Sequence, residues 1–147
     1  MPTHARRWFP VLALAALLAA ALPACSTAPD AAGLHMLPMD ELPGEVRSAP
    51  NSVRTAYQFA AANPDVMENL PCYCGCGSIG HDSNYDCYVA DVDANGAIRF
   101  DGHALGCSIC VDITLDAMRL IKEGKSVPEI RAYVDATYSK YGTSNMQ

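Results

Sequence analysis

Basic residues are scarce in this chain: ten Lys and Arg stand against sixteen Asp and Glu. Arg6 and Arg7 are two of the ten and fall in a leader that is expected to be removed, so eight basic groups oppose sixteen acidic ones in the remainder. A formal charge of about −8 repels polyanions, so no nucleic-acid partner is expected. Also missing are a Gly-rich phosphate loop, a serine nucleophile elbow and a carboxylate pair at suggestive spacing. No enzymatic activity is therefore expected. There is no internal repeat, and past residue 24 no run approaches membrane-spanning length.

The one long apolar run is N-terminal. Arg6 and Arg7 make a charged start, Val11 to Leu22 is apolar, and Leu22-Pro23-Ala24-Cys25 follows. That is the order of an export signal. Trp8 to Ala24 is 17 residues interrupted by Pro10 and Pro23, short of the roughly 20 that a spanning helix needs. Arg6-Arg7-Trp8-Phe9 also resembles a twin-arginine signal, weakened by Pro10. The residues around Cys25 resemble the lipobox of bacterial lipoproteins, which implies cleavage before Cys25 and lipid on its sulfur. The expected organisation is a signal peptide with lipobox over 1–24, a lipid-anchored flexible tether over 25–50, a Cys-rich domain over 51–142 and a C-terminal tail over 143–147. The expected location is the outer side of a bacterial cell membrane, which is itself a partner through the lipid.

A domain of under 100 residues has a modest core and often leans on disulfides or a metal. The expected class is α+β, mainly helical, with one β-hairpin. Ser52 is placed to cap a helix to Ala62, and Pro64 to open a short helical turn over 65–70. Strand-like alternation over 85–92 and 97–100 flanks Asn95-Gly96, a hairpin signal. A helix over 108–123 ends at Gly124. Ser126-Val127-Pro128-Glu129 is a capping box that opens a last helix, with Ile130, Val134, Tyr138 and Tyr141 as its apolar stripe. Asp91-Val92-Asp93-Ala94-Asn95-Gly96 imitates half of an EF-hand loop, but Gly102 stands where the bidentate Glu belongs. The segment reads better as the hairpin turn.

Chemistry concentrates in six cysteines within the 39 residues from Cys72 to Cys110. Cys72, Cys74 and Cys76 alternate inside Pro71-Cys72-Tyr73-Cys74-Gly75-Cys76-Gly77; Cys87 stands alone; Cys107 and Cys110 form a C-x-x-C pair at a helix start. Neighbours spaced C-x-C bridge one another awkwardly. They suit a metal that accepts several thiolates, and Gly75 and Gly77 permit the tight turns required. The helix start favours thiolate at Cys107 and Cys110. His103 and His81, in loops beside the cysteine clusters, are the candidate nitrogen ligands. Softness points to Cu(I) or Zn(II). A metal-delivery or metal-acceptor protein is implied, of unknown identity.

The succession PCYCGCG, Gly80-His81, Asn84-Tyr85-Asp86-Cys87-Tyr88-Val89, Asp101-Gly102-His103, Cys107-Ser108-Ile109-Cys110 and Glu123-Gly124-Lys125-Ser126 resembles the bacterial PCYCGC-motif lipoproteins, over roughly 43–142. The resemblance implies an exported, lipid-anchored small domain with six matching cysteines, and implies no reaction. Two other readings of the cysteines stay open. An oxidising compartment favours disulfides, and six cysteines allow 15 complete pairings, giving a stapled interaction module. Thiol–disulfide exchange at Cys107 and Cys110 is the remaining enzymatic alternative, without the surrounding βαβ pattern.

Overall fold

The fold is that of a computed structural model describing residues 34–146. The signal peptide, Cys25 and the first part of the expected tether lie outside the described residues. Six helices and one hairpin follow in order: α1 (Gly44–Arg47), α2 (Asn51–Ala62), α3 (Pro64–Met67), β1 (Val89–Val92), β2 (Ile98–Phe100), α4 (His103–Gly106), α5 (Ser108–Lys122) and α6 (Val127–Tyr138). Short 3-10 turns cover Met39–Glu41, Cys76–Ile79, Tyr85–Cys87 and Ser139–Tyr141. This is the expected α+β class. Among the described residues no helix is long and apolar enough to cross a membrane.

Three helices make the frame, with α5 packed between α2 and α6. Ala56, Tyr57, Phe59, Ala60 and Ala61 are the buried positions of α2. The helix begins one residue ahead of Ser52, directly after Pro50, with no side-chain cap. Proline supplies the extended backbone that a helix entrance needs, so the serine cap is not used. Cys110, Val111, Ile113, Thr114, Ala117, Met118 and Leu120 are the buried residues of α5. It ends in a Schellman motif: the Gly124 N–H donates to Ile121 O at 2.9 Å and the Lys125 N–H to Leu120 O at 3.0 Å. Gly124 takes φ +79° there, which other residues rarely adopt. The capping box at Ser126 and Glu129 forms as expected and opens α6. Ile130, Val134 and Tyr138 are buried along α6, while Tyr141 is 55 % exposed and leaves the stripe.

The hairpin is antiparallel, with Val89 opposite Phe100 and Val92 opposite Ile98, and an irregularity between Val89 and Asp91. Asp93 Oδ1 accepts the N–H groups of Asn95 and Ala97 at 2.8 and 2.9 Å, and Gly96 has φ +83°. The EF-hand-like residues therefore form a side-chain-stabilised turn. Residues 85–87, expected as strand, form a 3-10 turn instead. The Asp86 carboxylate accepts the N–H groups of Asp82 and Ser83 at 2.7 and 2.9 Å, and this local bonding competes with a ladder.

The folded unit begins well before Asn51. The Leu37 N–H donates to Gln58 O at 2.9 Å, and Gln58 Nε2 donates back to Leu37 O at 2.7 Å. Asn63 Nδ2 holds His35 O at 2.8 Å, while Leu42 and Val46 are 2 % and 1 % exposed in the core. The described part of the expected tether, 34–50 with three prolines and a glycine, thus packs on the domain, because a few apolar side chains find the α2 surface. Leu42→Ala should lower stability by about 2–5 kcal/mol, the usual range for an emptied core position. Denaturant unfolding measures it, and a loss within error would return this segment to the tether.

Candidate metal centre

Three segments deliver the sulfurs. The first is the loop from Pro71 to Gly77, turned by Gly75 at φ +86°, a left-handed backbone between Cys74 and the 3-10 turn that Cys76 opens. The second is the 3-10 turn carrying Cys87. The third is the junction of α4 and α5, where His103 opens α4, Cys107 is the N-cap of α5 and Cys110 lies in its first turn. A buried polar network locks the second segment to the third. Asn84 Nδ2 donates to Cys110 O at 3.3 Å and to Thr114 Oγ1 at 3.1 Å, and Tyr88 Oη lies 2.8 Å from Thr114 Oγ1. The Asn84 N–H also donates to Leu70 O at 2.8 Å, fixing the approach to the first loop.

The donor atoms converge. Those of Cys74, His103, Cys107 and Cys110 all lie within 4.8 Å of one another, and so do those of Cys72, Cys76 and Cys87. Cys74 Sγ is 3.3 Å from His103 Nε2 and 3.7 Å from Cys110 Sγ. Cys76 and Cys87 are 3.7 Å apart at sulfur. Cys110 is central: its sulfur lies 3.2 Å from Cys72 and 3.3 Å from Cys87. Among the described residues all six cysteines, Cys72 to Cys110, are free. Cys72, Cys76, Cys87 and Cys110 are buried, and Cys74 and Cys107 are half-buried.

His81 stands beside this set and is in neither group. Its Nε2 is 3.7 Å from Asp101 Oδ2, and its ring crosses that of His103 edge-on at 5.3 Å between centroids. Its Nδ1 is buried without a hydrogen-bond partner. Asp101 also accepts the His103 N–H through Oδ1 at 2.7 Å, and its carbonyl accepts the Tyr57 hydroxyl at 2.7 Å. One aspartate thus orients the loop that presents His103.

Two buried thiols, Cys110 and Cys72, are held below the ordinary thiol value; at Cys72 the hydrogen bond with Cys110 opposes this and is outweighed by those with Cys76 and Cys87. Sulfur–sulfur hydrogen bonds with Cys72 and Cys87 stabilise the Cys110 thiolate and bring its pKa down to about 6, against the opposing effect of burial. Burial pushes the Cys74 thiol up, and the hydrogen bond with Cys110 does the same to Cys87. The cause at Cys110 is its sulfur neighbours more than the helix start anticipated for it. Negative charge is thus favoured at the adjacent Cys110 and Cys72 sulfurs, 3.2 Å apart, and disfavoured at Cys74 and Cys87.

One part of the site has no counterpart among the expected ligands. The chain after Gly142 lies across the cysteine loop. Asn145 Oδ1 accepts the Cys72 N–H at 2.6 Å, and the Asn145 N–H donates to Cys72 O at 3.1 Å. Its Nδ2 reaches Ser83 O at 3.0 Å, His81 O at 3.1 Å and Cys76 Sγ at 3.6 Å. Gly142 passes so close that a Cβ there would lie 2.7 Å from Tyr73 O. Tyr73 itself donates its hydroxyl to Asp135 at 2.6 Å, tying the loop to α6. Residues 142–146 therefore form a strap over the loop, where a tail was expected. An asparagine in a polar terminal stretch carries no motif, so no sequence signal marked it.

A family model described as "Protein of unknown function with PCYCGC motif" matches residues 15–145. The chain belongs to this PCYCGC-motif family. No curated protein and no solved structure matches it.

Two outcomes are expected for the reduced, metal-free protein. Thiolate ultraviolet absorbance should rise in a first step near pH 6, and Cys110→Ser should remove that step. Because the folded thiol is more acidic than an ordinary one of roughly 8.5, its stabilising contribution is complete above that value and is lost as pH falls through about 6. A first step near the ordinary thiol value would contradict the assignment. Separately, Asn145→Ala should cost about 1–3 kcal/mol by stranding its partners. It should also speed the reaction of the loop cysteines with a thiol reagent; unchanged reactivity would mean that the strap does not guard the loop.

Proposed function

We propose that this PCYCGC-motif protein is an exported lipoprotein, held to the membrane by lipid on Cys25, that binds a thiophilic metal in handling or buffering it. The observation that carries the reading is the convergence of donor atoms from three separate segments, six thiols and one imidazole, on one region of the fold. Thiolate-rich donor sets with little carboxylate suit Cu(I) and Zn(II). Cys72, Cys74, Cys76, Cys87, Cys107, Cys110 and His103 would hold the ion, and Asp101 and Asn145 would orient them. When bound, the metal would neutralise thiolates that are costly to bury and cross-link the segments, so binding energy becomes folding energy.

The pattern of contacts favours this reading over a stapled interaction module. In a disulfide scaffold each sulfur has a single partner at 2.03–2.05 Å. Here Cys110 approaches Cys72, Cys74 and Cys87 at 3.2 to 3.7 Å. Multiple near-equal neighbours suit shared metal ligation. The assigned role is binding, with no turnover of a substrate.

The test is anaerobic purification of the Cys25→Ser protein, followed by metal loading, elemental analysis and thiol counting. Retained Zn(II) or Cu(I), with all six thiols titrating after denaturation and chelation, is the expected result. Three disulfides and no metal after reconstitution would leave the interaction module standing. In the same cells the unsubstituted protein should fractionate with membranes, and Cys25→Ser should release it.

A further inference from the structure

The two donor groups touch, and their arithmetic is that of a shared ligand. The first group, Cys74, His103, Cys107 and Cys110, is a complete set for a four-coordinate ion. The second, Cys72, Cys76 and Cys87, is one donor short. Each group contains a sulfur pair 3.7 Å apart, Cys74 with Cys110 and Cys76 with Cys87. A tetrahedral site with metal–sulfur bonds of 2.3 Å has sulfur–sulfur edges of about 3.8 Å. One edge of each group therefore already has the length that a bound ion requires.

Cys110 is placed to supply the missing fourth donor. It belongs to the first group, yet its sulfur lies 3.2 Å from Cys72 and 3.3 Å from Cys87, two of the three members of the second. The other close approach between the groups, Cys72 to Cys74, is 3.4 Å. Contacts of that length put the Cys110 sulfur within reach of both groups, as a bridging thiolate requires.

The groups also differ in access. All three members of the second are buried, whereas three of the four in the first are half-buried. Cys107 lines a surface hollow of about 260 Å³ with Ser52, Ala104, Ser108 and Asp112. The second group is closed over by Asn145, which donates to Cys76 Sγ at 3.6 Å.

Resting on the metal-binding reading above, we propose that the site is a two-ion cluster bridged by the Cys110 thiolate. An outer ion is held by Cys74, His103 Nε2, Cys107 and Cys110. An inner ion is held by Cys72, Cys76, Cys87 and Cys110. The outer ion exchanges with solution; the inner one stays and stabilises the fold. The ligand class is a thiophilic cation of four-coordinate preference, and the probe is Cd(II), whose NMR-active isotope reports its own ligands.

Cadmium-113 NMR of the loaded Cys25→Ser protein, with elemental analysis, tests this. Two Cd(II) per chain are expected, giving two resonances that split one another through the shared sulfur. A limiting amount of chelator should erase one resonance first. His103→Gln should shift that same resonance strongly and the other weakly. Cys107→Ser should reduce the stoichiometry to one ion and leave the slowly exchanging resonance; because Cys107 is half-buried, this variant tests the idea even where Cys110→Ser fails to fold. A single Cd(II) per chain at saturation, two unsplit resonances, or equal loss of both to chelator would overturn the bridged cluster while leaving metal binding intact. No Cd(II) bound at all would overturn the metal-binding reading itself.

Discussion

The start of α5 is the fixed point of this structure. Cys110 sits in its first turn with its backbone carbonyl and its sulfur both engaged: the carbonyl accepts from Asn84 Nδ2, and the sulfur faces Cys72, Cys74 and Cys87. Ile113, Thr114 and Ala117, a turn and two turns further on, belong to the core. One helix therefore serves as both the central core element and the platform of the site. Cys72, Cys76, Cys87 and Cys110 are themselves members of the hydrophobic core cluster. The site and the core cannot be varied independently, since any change that repacks one moves the other.

Legibility in the sequence followed the range of the interaction responsible. The capping box at Ser126, the Asn95-Gly96 turn and the stop at Gly124 depend on residues within five of each other, and all three were readable. So was the cluster as an inventory, because alternate cysteines have few structural uses. The Asn84–Thr114–Tyr88 network spans 26 to 30 residues and uses types that are ordinary on any surface. The strap at Asn145 reaches back 73 residues to Cys72. Such contacts leave no periodicity. His103 and His81 could not be ranked by spacing alone, since both are loop histidines beside cysteines; only the fold brings one to 3.3 Å from a sulfur and turns the other towards Asp101.

The N-terminal misreading has a related cause. Residues 34–50 carry three prolines and a glycine, and composition of that kind signals a linker. Proline also fixes the backbone before it is ordered, so a proline-rich segment loses less entropy on docking. Leu42 and Val46 then suffice to seat it against α2. Composition measures how freely a segment moves when undocked and says little about whether a groove awaits it.

That docking sets a leash length. Leu34 packs against the core nine residues after Cys25, and fully extended chain spans at most roughly 3.3–3.6 Å per residue. With lipid on Cys25, Leu34 could stand no more than about 30 Å from that anchor, roughly the thickness of a bilayer's hydrocarbon core. The domain would then patrol a shallow layer at the membrane surface.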